Sequence, residues 1–353
     1  MTTPEPTSSA APPPRRRLPG GRARTLAARA VPSSVKVVLR RKLRGTWLFP
    51  APPPRAAAQG VPAPRVVRLQ VPLTAPGDGT HPATRQVVLK APSAMYVPKR
   101  LGKTGLAGYE EHAVECFLAL IETVGPGAVL DIGANVGLYG LLAAAVSDRE
   151  VRAFEPTPEL ADVARSTATA NGLDMLVEEL ALGREPGTAT FFLSDRSDSS
   201  NSLAEGYRQS SRHLDVTVDT LDAYCARTGV VPALLKVDTE TTEPDVLVGA
   251  AGTITEHRPW ILCEVLYGRR TGELAEVMAP HGYTWYHLDG DEPQPVDRLD
   301  GDPTHADLMY LFAPQPVTPE FWARVRAWRR AVEAAHPGAA PAAAADQTRV
   351  TTG

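Results

Sequence analysis

Asp238, Glu240 and Glu243 crowd the end of the apolar run that opens LLKVDTETTEPDVLVGA, residues 234–250. Burying an unpaired charge is costly, so acids placed where a core strand runs out are poor packing residues. They suit a site that accepts a proton or holds a hard cation. Asp238 and Glu240 form the candidate catalytic pair. Glu243 has a plainer reading: preceded by Thr242 and followed by Pro244 and Asp245, it fits the first turn of a helix. Glu264, near the end of the apolar WILCEVL, would stand beside Asp238 across a sheet. Asp238, Glu240 and Glu264 are therefore the candidate ligands for a divalent cation such as magnesium, with substrate orientation as the other role for Glu264.

A second constellation lies in VLDIGANVG. Gly133 and Gly137 with Asn135 between them allow a tight turn in which a ligand approaches backbone N–H groups at the start of the next helix. A dinucleotide site needs G-x-G-x-x-G, whose second and third glycines would fall on Asn135 and Leu138, so pyrophosphate binding is disfavoured. Asp131 adds a carboxylate where phosphates would sit. That suits a ligand with an ammonium group, such as the methionine end of S-adenosylmethionine. Glu155 closes the next apolar segment, VRAFEP, where an acid can accept both hydroxyls of a ribose lying across strand ends.

These residues need a scaffold that brings strand ends together. RVVRLQVPL and RQVVLKAP alternate and are β-branched, which predicts a small hairpin. YEEHAVECFLALIETV, VGLYGLLAAAVS and TPELADVARSTATANG read as helices, the last closed by Gly172. Between and after them come strand signals: AVLDIG, EVRAFEP, DMLVEE, ATFFLS, LDVTVD, ALLKVD, WILCEVL, YTWYHL and LMYLFA. Alternating strands and helices predict βαβ units, hence a mostly parallel α/β sheet with helices on both faces.

VLDIGANVGLYGLLAA, AFEPTPEL, NGLDMLVEELALG, SSNSL, LDVTVDTLDAYC, LLKVDTETTEPDVLVGA and PWILCEVL, in that order, resemble the FkbM-type S-adenosylmethionine-dependent methyltransferases. The resemblance implies a class I methyltransferase (Rossmann-like) sheet of seven strands, the last antiparallel, and methyl transfer to a hydroxyl oxygen. In the first motif it implies cofactor contacts at Asp131, Gly133, Ala134, Asn135 and Gly137. Further along it implies contacts at Glu155, Pro156, Glu179 and Ala181. The family's K-[IV]-D-x-E-G-x-E-x-x-V-L is met by Lys236, Val237, Asp238, Glu240, Glu243, Val246 and Leu247, but Thr241 stands where the family has glycine. Asn201 and Ser202, in a polar loop over residues 194–207 fit for a lid or substrate rim, match the family's NSL element.

The ends of the chain differ from this middle. Residues 1–60 hold twelve Lys and Arg against the single acid Glu5, leaving 25 bases and 39 acids in the rest. This Pro-, Ala- and Arg-rich stretch is expected to be largely disordered, because it lacks the apolar surface to offset chain entropy. VPSSVKVVLRRKLRGTWLF, residues 31–49, would make a basic amphipathic helix for an acidic partner or membrane surface. Basic residues without interleaved aromatics do not indicate nucleic acid. The expected organisation is the basic segment 1–60, a small β extension 61–108, the methyltransferase domain 109–315, a C-terminal helix 316–336 and a disordered tail 337–353. In PEFWARVRAWRRAVEAAH, Phe321, Val325, Trp328 and Val332 share one stripe, for packing or a contact between copies. Three cysteines without metal-ligand spacing fit a reduced, cytoplasmic protein.

The reading is an O-methyltransferase that uses S-adenosylmethionine on a hydroxylated small molecule, a specialised metabolite or sugar. The rivals are a nicotinamide-dependent oxidoreductase on the same sheet and a non-catalytic module of that fold.

Overall fold

The computed structural model describes residues 63–77, 80–195 and 197–336. The basic helix expected at residues 31–49 and the tail after residue 336 lie outside them. β1 (Arg65–Pro72) and β2 (Thr84–Ala91) pair as an antiparallel hairpin from Arg65↔Ala91 to Pro72↔Thr84. After it come α1 (Tyr96–Thr104), α2 (Glu111–Thr123), β3 (Ala128–Ile132), α3 (Leu138–Val146), β4 (Val151–Phe154), α4 (Pro158–Ala170) and β5 (Met175–Glu178). β6 (Ala181–Leu182), β7 (Gly187–Leu193) and β8 (Arg212–Asp219) form a separate three-stranded sheet. The chain continues through α5 (Leu221–Thr228), β9 (Pro232–Val237), α6 (Glu243–Val248), α7 (Ala251–His257), β10 (Trp260–Glu264) and α8 (Thr271–Met278). It ends with β11 (Thr284–His287), β12 (Pro295–Val296), β13 (Met309–Ala313) and α9 (Pro319–Ala334).

The main sheet runs β12-β11-β13-β10-β9-β3-β4-β5. β10, β9, β3, β4 and β5 are parallel, and β13 runs against both β10 and β11. The antiparallel last long strand agrees with expectation. The count is one higher, because Pro295 and Val296 pair with Tyr286 and Trp285 at the edge. A two-residue strand carries no alternation that a sequence could display.

From β3 the chain winds outward through β4 to β5, then crosses back to lay β9 on the other side of β3. In open α/β sheets, ligands bind beyond the carboxyl ends of the strands at such a switch point. All residues of β3 and β4 are buried, as expected of strands covered on both faces. Period-two alternation divides them: Val129 and Leu234 join the core on one face, Leu130 and Leu235 the core on the other. Asp131 and Lys236 fall on the same face as Val129 and are direct register partners.

The hairpin and the C-terminal helix join this same core rather than hanging from it. Val67, Leu69 and Leu89 share it with Trp322, Val325, Trp328 and Val332. Asn171 binds the β2 backbone with both ends of its amide, accepting from Val88 N (2.8 Å) and donating to Val88 O (2.9 Å). Trp328 Nε1 donates to Glu122 at 2.8 Å, so the apolar stripe of α9 packs on α2. The region 61–108 also contains α1, which the β reading of that segment missed. Its sequence YVPKRLGKT begins Tyr-Val-Pro and has no alternating pattern to separate it from a loop.

Candidate active site

The site is assembled where β3 and β9 end. Gly133, at φ +75°, touches β9 so closely that a Cβ there would lie 1.7 Å from the Asp238 carbonyl oxygen. Only glycine fits. Asn135 is left-handed at φ +51°, a conformation Asn tolerates better than most residues. Its N–H donates to Glu155 Oε2 at 2.8 Å, and its side chain donates to the Asp198 carbonyl at 3.1 Å. Gly137 begins α3 at φ +80°.

Two cavities open from this junction, and Asn135 and Asp238 line both. The smaller, about 50 Å3, has a carboxylate, Glu155, set among Phe154, Pro156, Ala181, Leu182 and Phe191. Glu155 is 5 % exposed and accepts from the N–H groups of Asn135 and Thr157, both at 2.8 Å. Burial outweighs those donors and pushes its pKa up to about 7. An acid facing apolar walls is a chemical fit for a nucleoside, with the sugar hydroxyls on Glu155 and the base against Ala181, Leu182 and Phe191. Asp198 Oδ2 is buried at this slot without a hydrogen-bond partner among the described residues. It is a second acceptor open to such a ligand.

The larger cavity, about 580 Å3, holds the acids. One carboxylate oxygen each from Asp238, Glu240 and Glu264 lies within 4.8 Å of the others. Asp238 follows Lys236 by two residues and so faces the same way; Lys236 Nζ meets Asp238 Oδ2 at 2.7 Å. Tyr207 Oη donates to Glu240 Oε2 at 2.5 Å. Burial, then repulsion from Asp238, raises the Glu240 pKa to about 8. The same two causes hold Glu264 well above the ordinary range, and its Oε2 has no partner among the described residues.

Other expected residues take supporting positions. Asp131 is fully buried and lines neither cavity; its Oδ2 accepts from Gly140 N at 2.8 Å at the start of α3. Ala134 lines the larger cavity and Pro156 the smaller. Glu179 is exposed, 3.7 Å from Arg165, and lines neither. Glu243 opens α6 and folds back to accept from Thr239 N (2.7 Å) and Oγ1 (3.0 Å). That bears out its helix-start reading.

Residues that sequence reasoning overlooked complete the larger cavity. Tyr139 Oη donates to Glu110 Oε2 at 2.7 Å, and the Lys236 ammonium lies 5.0 Å from the Tyr139 ring centre. Glu110 is left-handed at φ +45°. A signal was present in the adjacent acids of YEEHAV, but acids before a helix are also ordinary first-turn residues. The loop over residues 194–207 roofs both cavities: Ser197, Ser199 and Tyr207 line the larger, Asp198, Asn201 and Leu203 the smaller. Ser202 Oγ pins it to the Glu240 carbonyl at 2.6 Å.

Thr241 stands in a strained turn. The turn bearing the acids is left-handed at both Glu240 (φ +56°) and Thr241 (φ +87°), and the Thr241 hydroxyl is buried without a partner among the described residues. Such a conformation costs a non-glycine residue about 1 to 3 kcal/mol, while glycine forfeits about 0.5 to 1 kcal/mol of chain entropy. Thr241→Gly should therefore stabilise the protein by about 1 kcal/mol, seen as a melting temperature about 2 to 4 °C higher. A lower melting temperature would show that the threonine side chain supports the turn.

The strand order, the switch point and the antiparallel β13 define a class I methyltransferase fold. Residues 131–285 match the model of the methyltransferase FkbM domain. Among solved structures it is similar to the methyltransferase FkbM from Methylobacillus flagellatus KT. Identity is 18 %, coverage 53 % of this chain and 43 % of that one, and the TM-score 0.36. It is also similar to a SAM-dependent methyltransferase from Agrobacterium tumefaciens, at 11 % identity, 67 % and 75 % coverage and TM-score 0.36. The chain thus spans less than half the length of the FkbM structure it matches. No curated protein matches it in sequence. Among the described residues, no helix is long and apolar enough to cross a membrane.

Proposed function

We propose that the protein is an O-methyltransferase that uses S-adenosylmethionine on a hydroxylated small molecule. The observation that carries this reading is the adjacency of the two cavities. A slot suited to a nucleoside opens beside a larger cavity whose floor gathers Asp238, Glu240 and Glu264. Bound there, S-adenosylmethionine would supply an electrophilic methyl group on its sulfonium. Glu155 holds the ribose. Glu110, which lines the larger cavity, replaces Asp131 as the carboxylate facing the ammonium, and Asp131 works from behind by anchoring α3. The slot is narrow, so the loop over residues 194–207 opens to admit the nucleoside.

A neutral hydroxyl is a weak nucleophile, and Glu240 accepts its proton. Asp238 beside it raises the affinity of Glu240 for that proton, and the Tyr207 hydroxyl fixes the orientation of the Glu240 carboxylate. The mechanism we propose is metal-free. Lys236 is already ion-paired with Asp238, and the Tyr207 hydroxyl already binds one oxygen of Glu240, which leaves these acids poorly placed as ligands for a hard cation. EDTA should leave turnover unchanged. Loss of activity with EDTA and recovery with magnesium would instead make the three acids ligands.

Glu155→Ala should weaken S-adenosylmethionine binding by about 1.5 to 3 kcal/mol, the worth of hydrogen bonds to a charged group. Calorimetry measures this directly. Equal affinity in native and variant protein would remove Glu155 from the cofactor site, and binding of NADH in place of S-adenosylmethionine would sink the methyltransferase reading.

A further inference from the structure

Three arginines from distant parts of the chain meet at the larger cavity: Arg100 on α1, Arg208 after the roofing loop and Arg269 between β10 and α8. Each guanidinium lies over the ring of a tyrosine. The Arg100 guanidinium lies 5.1 Å from the Tyr109 ring centre, while Arg208 and Arg269 lie 4.7 and 5.6 Å from that of Tyr207. Among the described residues, none of the three has a carboxylate within 4.0 Å. The contrast with the next residue is sharp: Arg270 is held by Asp245 and by Glu273 at 2.7 Å. A guanidinium without a carboxylate partner keeps N–H donors for a planar or tetrahedral anion, although Arg208 also donates one N–H to Tyr207 Oη at 3.4 Å.

The cavity is thereby polarised. Glu264 on its floor is buried and Asp238 and Glu240 are half-buried, whereas Arg208 and Arg269 are exposed and Arg100 half-buried, so the acids sit deeper than the two exposed guanidinium groups at the rim. The acids do not cancel the rim: Asp238 is ion-paired with Lys236, and Arg208 acts on Glu240 only from beyond ion-pair distance. We propose that the acceptor molecule carries a carboxylate or phosphate remote from its reacting hydroxyl, and that Arg100, Arg208 and Arg269 bind that anion. This rests on the methyltransferase reading for the hydroxyl, while the anion site stands on the arginines themselves.

The test is calorimetric titration of the full-length protein, saturated with S-adenosylhomocysteine, with glycerol 3-phosphate, glycerate and glycerol. At least one of the two anions should bind, and glycerol should not; which anion binds separates phosphate from carboxylate. Arg100→Gln, Arg208→Gln and Arg269→Gln should each weaken the anion at least about tenfold, the loss of one charge-assisted hydrogen bond, without changing affinity for S-adenosylhomocysteine. The proposal is overturned if neither anion binds, or if one binds equally well to the triple variant. Should S-adenosylhomocysteine fail to bind native protein, the methyltransferase reading falls. The same anion titrations without it still decide the arginine site.

Discussion

Glu240→Gln is expected to lower turnover by about 10²- to 10⁴-fold with S-adenosylmethionine affinity nearly unchanged, the loss typical of a removed general base. The pH profile identifies the group. With its pKa raised to about 8, Glu240 is mostly protonated at neutral pH and gains the capacity to accept a proton as pH rises through 8. Native turnover should rise across that range, and the limb should vanish in Glu240→Gln. Asp238→Asn removes the repulsion that follows burial as the cause of this shift, so its limb should move to lower pH while the rate falls. Burial alone would leave the limb in place. A flat profile in native protein with a large loss in Asp238→Asn would make Asp238 the base and Glu240 its neighbour. Full turnover in both variants would remove the acids from the chemistry.

The sequence showed this cluster because it sits on one short strand and its following turn, where a local motif preserves spatial order. Asp238 and Glu240 are two residues apart, and Glu264 is brought beside them by the pairing of adjacent strands β9 and β10. Glu155 was legible for the same reason, lying one strand away from the glycine turn. Glu110, Tyr207 and the three arginines come from the start of α2, from α1 and from loops. Their approach depends on how α1, α2 and the loop over residues 194–207 fold over the strand ends, and no periodicity encodes that. Asp131 marks the limit of a motif: the residue was found, but its side chain points to the helix-covered face, which only the register with Lys236 reveals.

Lys236→Met should cost about 3 to 4 kcal/mol of stability at pH 7, measured by urea denaturation. The lysine is 4 % exposed and faces Asp131, Asp238 and Glu110, so its charge is the shared partner of one fully buried and two half-buried carboxylates. Breaking a buried ion pair by removing one partner typically costs about 3 to 5 kcal/mol. Protonation sets a ceiling. Keeping neutral at pH 7 an acid whose ordinary pKa is near 3.9 costs about 4 kcal/mol at 1.36 kcal/mol per unit. Asp131 is the acid to take that proton, because it is fully buried with one oxygen lacking a partner among the described residues, and burial already raises its pKa. The sign of the pH dependence follows: a proton held by the folded variant but not by the unfolded chain costs less as pH falls. The deficit relative to native protein should shrink to about 1.5 kcal/mol at pH 5, where the unfolded acid is nearer its own pKa. Asp131→Asn added to Lys236→Met should restore much of the loss at pH 7 and flatten this dependence, since Asp238 is partly exposed and hydrated in its own right. A deficit that stays constant from pH 7 to 5 would point to lost packing of the lysine chain over the Tyr139 ring instead.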